Sequence, residues 1–131
     1  MIRNIGLVLL ISLNAPAFAQ QKVTTANPKI IYQKGMDSLR RGDLAGAKRS
    51  FEQAVTVAPR SPDAHNSLGW VLLAQGETER AISEFRTALS LKPDFVQAHI
   101  NLAGASAKAN DLPGAEKEAR DAVQIAPKNS E

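Results

Sequence analysis

Cysteine is absent from all 131 residues. That excludes a disulfide framework, a thiolate zinc site, an iron–sulfur cluster, a cysteine nucleophile and a lipoprotein anchor. Histidine is nearly absent too. His65 and His99 are the only two, which leaves little for a metal site or for acid–base catalysis. Aromatic residues make up 5%, too few for a base-stacking platform. Charge of one sign is not in excess. The 16 Lys and Arg residues are scattered among 13 Asp and Glu, for a formal +3, so no dense phosphate-binding strip runs along the chain. No glycine-rich phosphate loop, spaced nucleophile–base pair or paired groove acids appear. The composition points away from an enzyme, a metalloprotein and a nucleic-acid binder, and no cofactor is expected.

Long hydrophobic runs are also missing. The longest spans Ile5 to Leu13, interrupted by Gly6 and Ser12. It falls well short of the roughly 20 residues that cross a bilayer as a helix. One basic residue (Arg3), that short run and the ending Ala17-Phe18-Ala19 make residues 1–19 a secretory signal peptide, cleaved after Ala19. The alternative is an uncleaved anchor or a buried first helix. The chain is expected to be exported, with a bacterial periplasm the simplest compartment and secretion the alternative. After cleavage no span remains. Residues 20–27, polar and small, read as a flexible leader.

What is present is a period of 34 residues. Shifted by that amount, Pro59, Pro93 and Pro127 coincide, as do Ala47, Ala81 and Ala115, and Ala54, Ala88 and Ala122. Phe51 matches Phe85, with Ala119 third. Gly35 matches Gly69, with Ala103 third. Gly42, Gly76 and Asn110 coincide, each followed by Asp43, Glu77 or Asp111. One period reads as two antiparallel helices. The first helix starts near Pro28, Pro62 or Phe95, with Asn27 and Ser61 as caps for the first two. It ends at Gly42, Gly76 or Asn110, residue types that tolerate a left-handed backbone. The second helix runs to about Val57, Leu91 or Ile125, where proline stops it. A single pair cannot bury its apolar face, whereas three stacked pairs can.

These residues resemble the tetratricopeptide repeat, whose pattern is W-x-x-L-G-x-x-Y, then A-x-x-x-F, A and P. The second repeat carries Leu68-Gly69, Ala81, Phe85, Ala88 and Pro93. Ile31, His65 and His99 stand at the pattern's tryptophan, and Leu72 at its tyrosine. The resemblance implies an all-α solenoid over 28–129, with repeats 28–61, 62–95 and 96–129. It also implies that the first helices line a concave groove holding a peptide or helix of a protein partner. The groove positions would be Lys29, Tyr32, Met36 and Arg40, then Asp63, Asn66, Trp70 and Leu73, then Gln97, Ile100, Asn101, Gly104 and Lys108.

Trp70, five residues past the usual tryptophan position, is expected on the inner wall beside Tyr32, Asn66 and Asn101. The alternative is that it packs against the next helix as core. Lys29, Arg40 and Lys108 lean the groove towards acidic partners, or are solvated rim charges. Chaperone-tail-binding members use lysine where Tyr32 stands, so their carboxylate clamp is not expected. His65 and His99 read as packed histidines rather than metal ligands. The third repeat has Glu116 and Ala119 where the second has Ile82 and Phe85, and reads as a polar end. Val123 and Ile125 there are expected to stay partly exposed, leaving an edge that could dimerise or dock. The expected function is an exported interaction module. The alternative is an oligomeric scaffold or chaperone-like holder working through that edge.

Overall fold

The computed structural model describes residues 26–126, which form six helices and no strand. They are α1 (Pro28–Arg40), α2 (Leu44–Val57), α3 (Pro62–Ala74), α4 (Thr78–Leu91), α5 (Val96–Lys108) and α6 (Leu112–Ile125). The segments read as signal peptide and leader lie outside the described residues, apart from Ala26 and Asn27. Ala26 packs on a small cluster of Ile31, Ala54 and Ala64.

The helix ends follow from local chemistry. Asn27 Oδ1 accepts from the Lys29 amide at 3.0 Å and Ser61 Oγ from the Ala64 amide at 3.2 Å, each satisfying an orphan donor of a helix that opens on proline. α5 begins at Val96, one residue after the expected start. Phe95 has no oxygen to cap with, and its ring instead lies beneath Lys92 Nζ, 4.9 Å away. Gly42, Gly76 and Asn110 take φ of 73°, 83° and 64°. That reversal lets the amides of Asp43, Glu77 and Asp111 donate to the carbonyls of Ser38, Leu72 and Ser106 at 2.9, 2.8 and 2.9 Å, closing each first helix. Asp43 and Asp111 then cap α2 and α6 through the Gly46 and Gly114 amides. Glu77 does not cap α4. Its carboxylate is drawn to Lys48 at 2.6 Å and Arg80 at 2.5 Å, the first of these bridging two repeats.

Packing is continuous across the repeats. Phe51 and Phe85 are fully buried, in one core with Leu68, Val71, Leu72, Leu102 and Ala105. Each such large side chain contributes about 1.5–3 kcal/mol on burial. Gly35 and Gly69 are required by closeness: a Cβ on either would fall 2.6 Å from the Phe51 or Phe85 ring. Each hairpin packs within itself, and α3 and α5 pack on the second helix of the hairpin before. α3 also meets α5 directly, so the first helices form the inner side of the stack. None of the described helices is long and apolar enough to cross a membrane.

Candidate binding groove

Three hydrogen bonds trace the inner wall, each joining residues 35 apart on successive first helices. Tyr32 Oη meets Ser67 Oγ at 3.0 Å, Asn101 Nδ2 donates to Asn66 Oδ1 at 3.0 Å, and Lys108 Nζ reaches the Leu73 carbonyl at 3.4 Å. The sequence-expected residues divide around this line. Tyr32, Met36 and Leu73 are half-buried and pack on the core. The Tyr32 ring lies tilted at 54° to Phe51, with centroids 5.4 Å apart. They are the floor of the groove rather than free contacts.

Trp70 and Ile100 are the apolar side chains the groove leaves open, at 44% and 50% exposure. Trp70 is flanked in sequence by buried Leu68, Gly69 and Val71, so it is turned out of the core that takes its neighbours. Gln97 Nε2 donates to Asn101 Oδ1 at 3.1 Å, which leaves Asn66 Nδ2 without a protein partner among the described residues. Lys29, Asp63, Gly104 and Lys108 are exposed. Arg40 is exposed as well but contacts the Asp37 carboxylate. That guanidinium, with the Gln33 amide at 3.1 Å, holds the Asp37 carboxyl below its usual value, so the positive lean of the groove rests on Lys29 and Lys108.

A cavity of about 360 Å³ opens at the N-terminal end of the groove. It brings Lys29, Tyr32 and Asp63 together with Ala54, Ala58 and Ala64. Ser67, Ala54 and Ala58 were not among the sequence-expected residues. Ser67 adjoins Asn66, a neighbour that the one-turn spacing skips. The two alanines belong to the end of α2 and the turn after it, not to a first helix.

At the other end, a cavity of about 300 Å³ is lined by Val96, Ile100, Ala103, Ala119, Ala122 and Val123. It lies where the third repeat has Ala103 and Ala119 in place of the Gly69–Phe85 pair, and Val123 there is 70% exposed.

The two histidines are clasps. His65 Nδ1 lies 2.6 Å from Glu84 Oε2 and its Nε2 2.9 Å from the Pro59 carbonyl; His99 repeats the arrangement with Glu118 and Pro93 at the same distances. Both nitrogens of each ring face an oxygen atom, so each ring is held at two points. Each clasp ties a first helix to its own second helix and to the proline turn before it. Ligand atoms of His99, Glu118 and Asp121 lie within 4.8 Å of one another, close enough for a metal ion. Lys117 Nζ already sits 2.7 Å from Asp121 and 3.3 Å from Glu118. It holds the Asp121 carboxyl below its ordinary value, with its own ammonium raised, so the cluster is an ion-pair network.

Stacked helical hairpins with an accessible inner wall define an α-solenoid. The tetratricopeptide repeat profile matches residues 32–94 and again 68–130, and the chain belongs to that family. Solved structures share the fold. A MamA structure superposes with a TM-score of 0.76 at 23% identity, covering 81% of this chain and 62% of MamA. The first TPR of Spaghetti (RPAP3), bound to the HSP90 peptide SRMEEVD, gives 0.75 at 16% identity over 76% of this chain and 79% of that one. The TPR2B domain of yeast Sti1, in a pHsp70 complex, gives 0.75 at 18% identity over 77% and 81%. The chain thus spans less than two thirds of the length of MamA.

Proposed function

We propose that the chain is a protein-interaction module whose inner wall receives an extended segment or a helix of a protein partner. The observation that carries this reading is Trp70, a large indole left 44% exposed in the middle of an otherwise well-packed stack. Indole and Ile100 offer apolar area, and Asn66 Nδ2 offers a donor suited to a peptide carbonyl. Lys29 and Lys108 at the two ends favour an acidic segment or a free carboxylate. The peptide complexes of the Spaghetti and Sti1 domains support peptide capture by this fold. The groove has no lysine at Tyr32, so we propose side-chain docking on Trp70 as the principal contact. The signal-like first nineteen residues favour an exported adaptor in an envelope or secretion assembly, the periplasm being the proposed compartment.

Replacing both Trp70 and Asn66 by alanine tests the reading. Partner capture in a crosslinking pull-down should be lost, with the helical circular dichroism unchanged. Undiminished capture by the folded double variant would refute binding through the inner wall.

A second reading, a scaffold or chaperone-like holder working through the C-terminal edge, is favoured by the apolar cavity beside Ala119. Light scattering at micromolar protein separates the two. A monomer supports the groove, whereas an oligomer broken by Val123→Lys supports the edge.

A further inference from the structure

The outward face of the first repeat departs from the pattern that the other two obey. Lys34 stands where Leu68 and Leu102 are buried, at 2% and 3% exposure. Ser50 stands where Glu84 and Glu118 bind the histidine rings, and Ile31 stands in place of those histidines. The result is a cavity of about 340 Å³ between α1 and α2, lined by Lys34, Arg41, Arg49, Ser38, Ser50 and Asp43. It lies away from the inner wall and shares no residue with it.

The charges around it are poorly balanced. Lys34 and Arg49 form no ion pair among the described residues, and Arg41 donates only to Ser38 Oγ, at 3.3 Å. The one acid, Asp43, is committed as the cap of α2, accepting from the Gly46 amide at 2.7 Å. The repeat as a whole carries seven basic residues against three acidic ones, whereas the second carries three against five. Ser50 also lines this cavity. The residue as a whole is only 5% exposed, but its hydroxyl, which makes no hydrogen bond to the described residues, opens to the cavity rather than being sealed in the core.

We propose that this cavity is an oxyanion site that takes a phosphate group. Lys34, Arg41 and Arg49 supply charge-assisted donors, and the Ser50 hydroxyl donates from the cavity floor. The absence of a carboxylate at the Ser50 position removes the repulsion that Glu84 or Glu118 would exert there. No run of basic residues marks the site in sequence, because its three cations are brought together from two helices and the turn between them.

Titration of the full chain with inorganic phosphate at low ionic strength, followed by amide NMR, tests the proposal. Saturable shifts confined to the neighbourhoods of Lys34, Arg41, Arg49 and Ser50 are expected. Lys34→Leu, which restores the residue of the other repeats, and Arg49→Ala should each weaken binding about tenfold. Ser50→Ala should weaken it several-fold, and Arg120→Ala on the far edge should leave it unchanged. Helical circular dichroism confirms that each variant is folded.

Two further arms identify the source of the phosphate. Vesicles of phosphatidylcholine with added phosphatidic acid that bind the chain, and release it on adding inorganic phosphate, assign a lipid headgroup. Binding of phosphate or glycerol phosphate without vesicle binding assigns a free ligand. Non-saturating shifts, equal displacement by chloride, or unchanged affinity in Lys34→Leu and Arg49→Ala would overturn the site.

Discussion

The second and third repeats solve the same packing problem differently. In the second, Gly69 has no side chain and Phe85 fills the space, its ring so close that a Cβ on Gly69 would stand 2.6 Å away. In the third, both partners change together, to Ala103 and Ala119, and the third repeat leaves an open cavity of about 300 Å³ beside them. The first arrangement serves a hairpin covered on both sides. The second serves a hairpin whose far side has no further repeat among the described residues. Small and large residues are therefore set pairwise, and an interior repeat cannot be exchanged for an end one by a single substitution.

The largest effect should come from emptying the interior pair. Phe85→Ala leaves a fully buried void, and a loss of about 3–5 kcal/mol is expected from denaturant unfolding. The corresponding position in the third repeat is already alanine. Next is Gly69→Leu, which overpacks the same crossing, with an expected loss of about 1–3 kcal/mol or more and a lowered melting temperature. An unchanged melting point would contradict the close approach of α3 to α4. The reverse exchange at the end, Ala103→Gly with Ala119→Phe, should change stability by about 1 kcal/mol at most, because the new ring stays partly wet. It should also abolish any self-association that uses the edge cavity.

The smallest expected effect is electrostatic. Lys48, then Arg80, hold the Glu77 carboxyl below its usual value, and Lys117 does the same for Asp121. A carboxyl lowered in the folded chain lends stability that is full above its unfolded value of about 4.3 for Glu, and that is lost as pH falls through the folded one. Glu77→Gln should therefore lower the melting temperature slightly in the neutral region, converge with the parent chain at low pH, and so flatten the acid limb of melting temperature against pH. An identical acid limb would remove the Lys48–Glu77 bridge from the account.

The fold was legible because the repeat states it three times. Proline, the left-handed Gly or Asn, and the cap residues fix helix ends by local chemistry, with each first helix ending two residues before its left-handed residue and α5 starting one residue late for want of a capping oxygen at Phe95. The inner face was legible as a set of positions. Its wiring was not, because Tyr32–Ser67 and Asn66–Asn101 depend on how one hairpin is rotated on the next, which no single-helix period specifies. The pairing of Arg40 with Asp37 was likewise hidden beneath a count of positive residues. The basic cavity of the first repeat shows in sequence only as Lys34 and Ser50 breaking the pattern, since a departure does not say what the gap is for.

Photo-crosslinking from a single site measures the central claim most directly. A photoreactive residue placed at Trp70 should yield a defined crosslinked product with the partner, and the same residue at exposed Arg86 on α4 should yield none. A product from Arg86 with nothing from Trp70 would contradict capture by the inner wall.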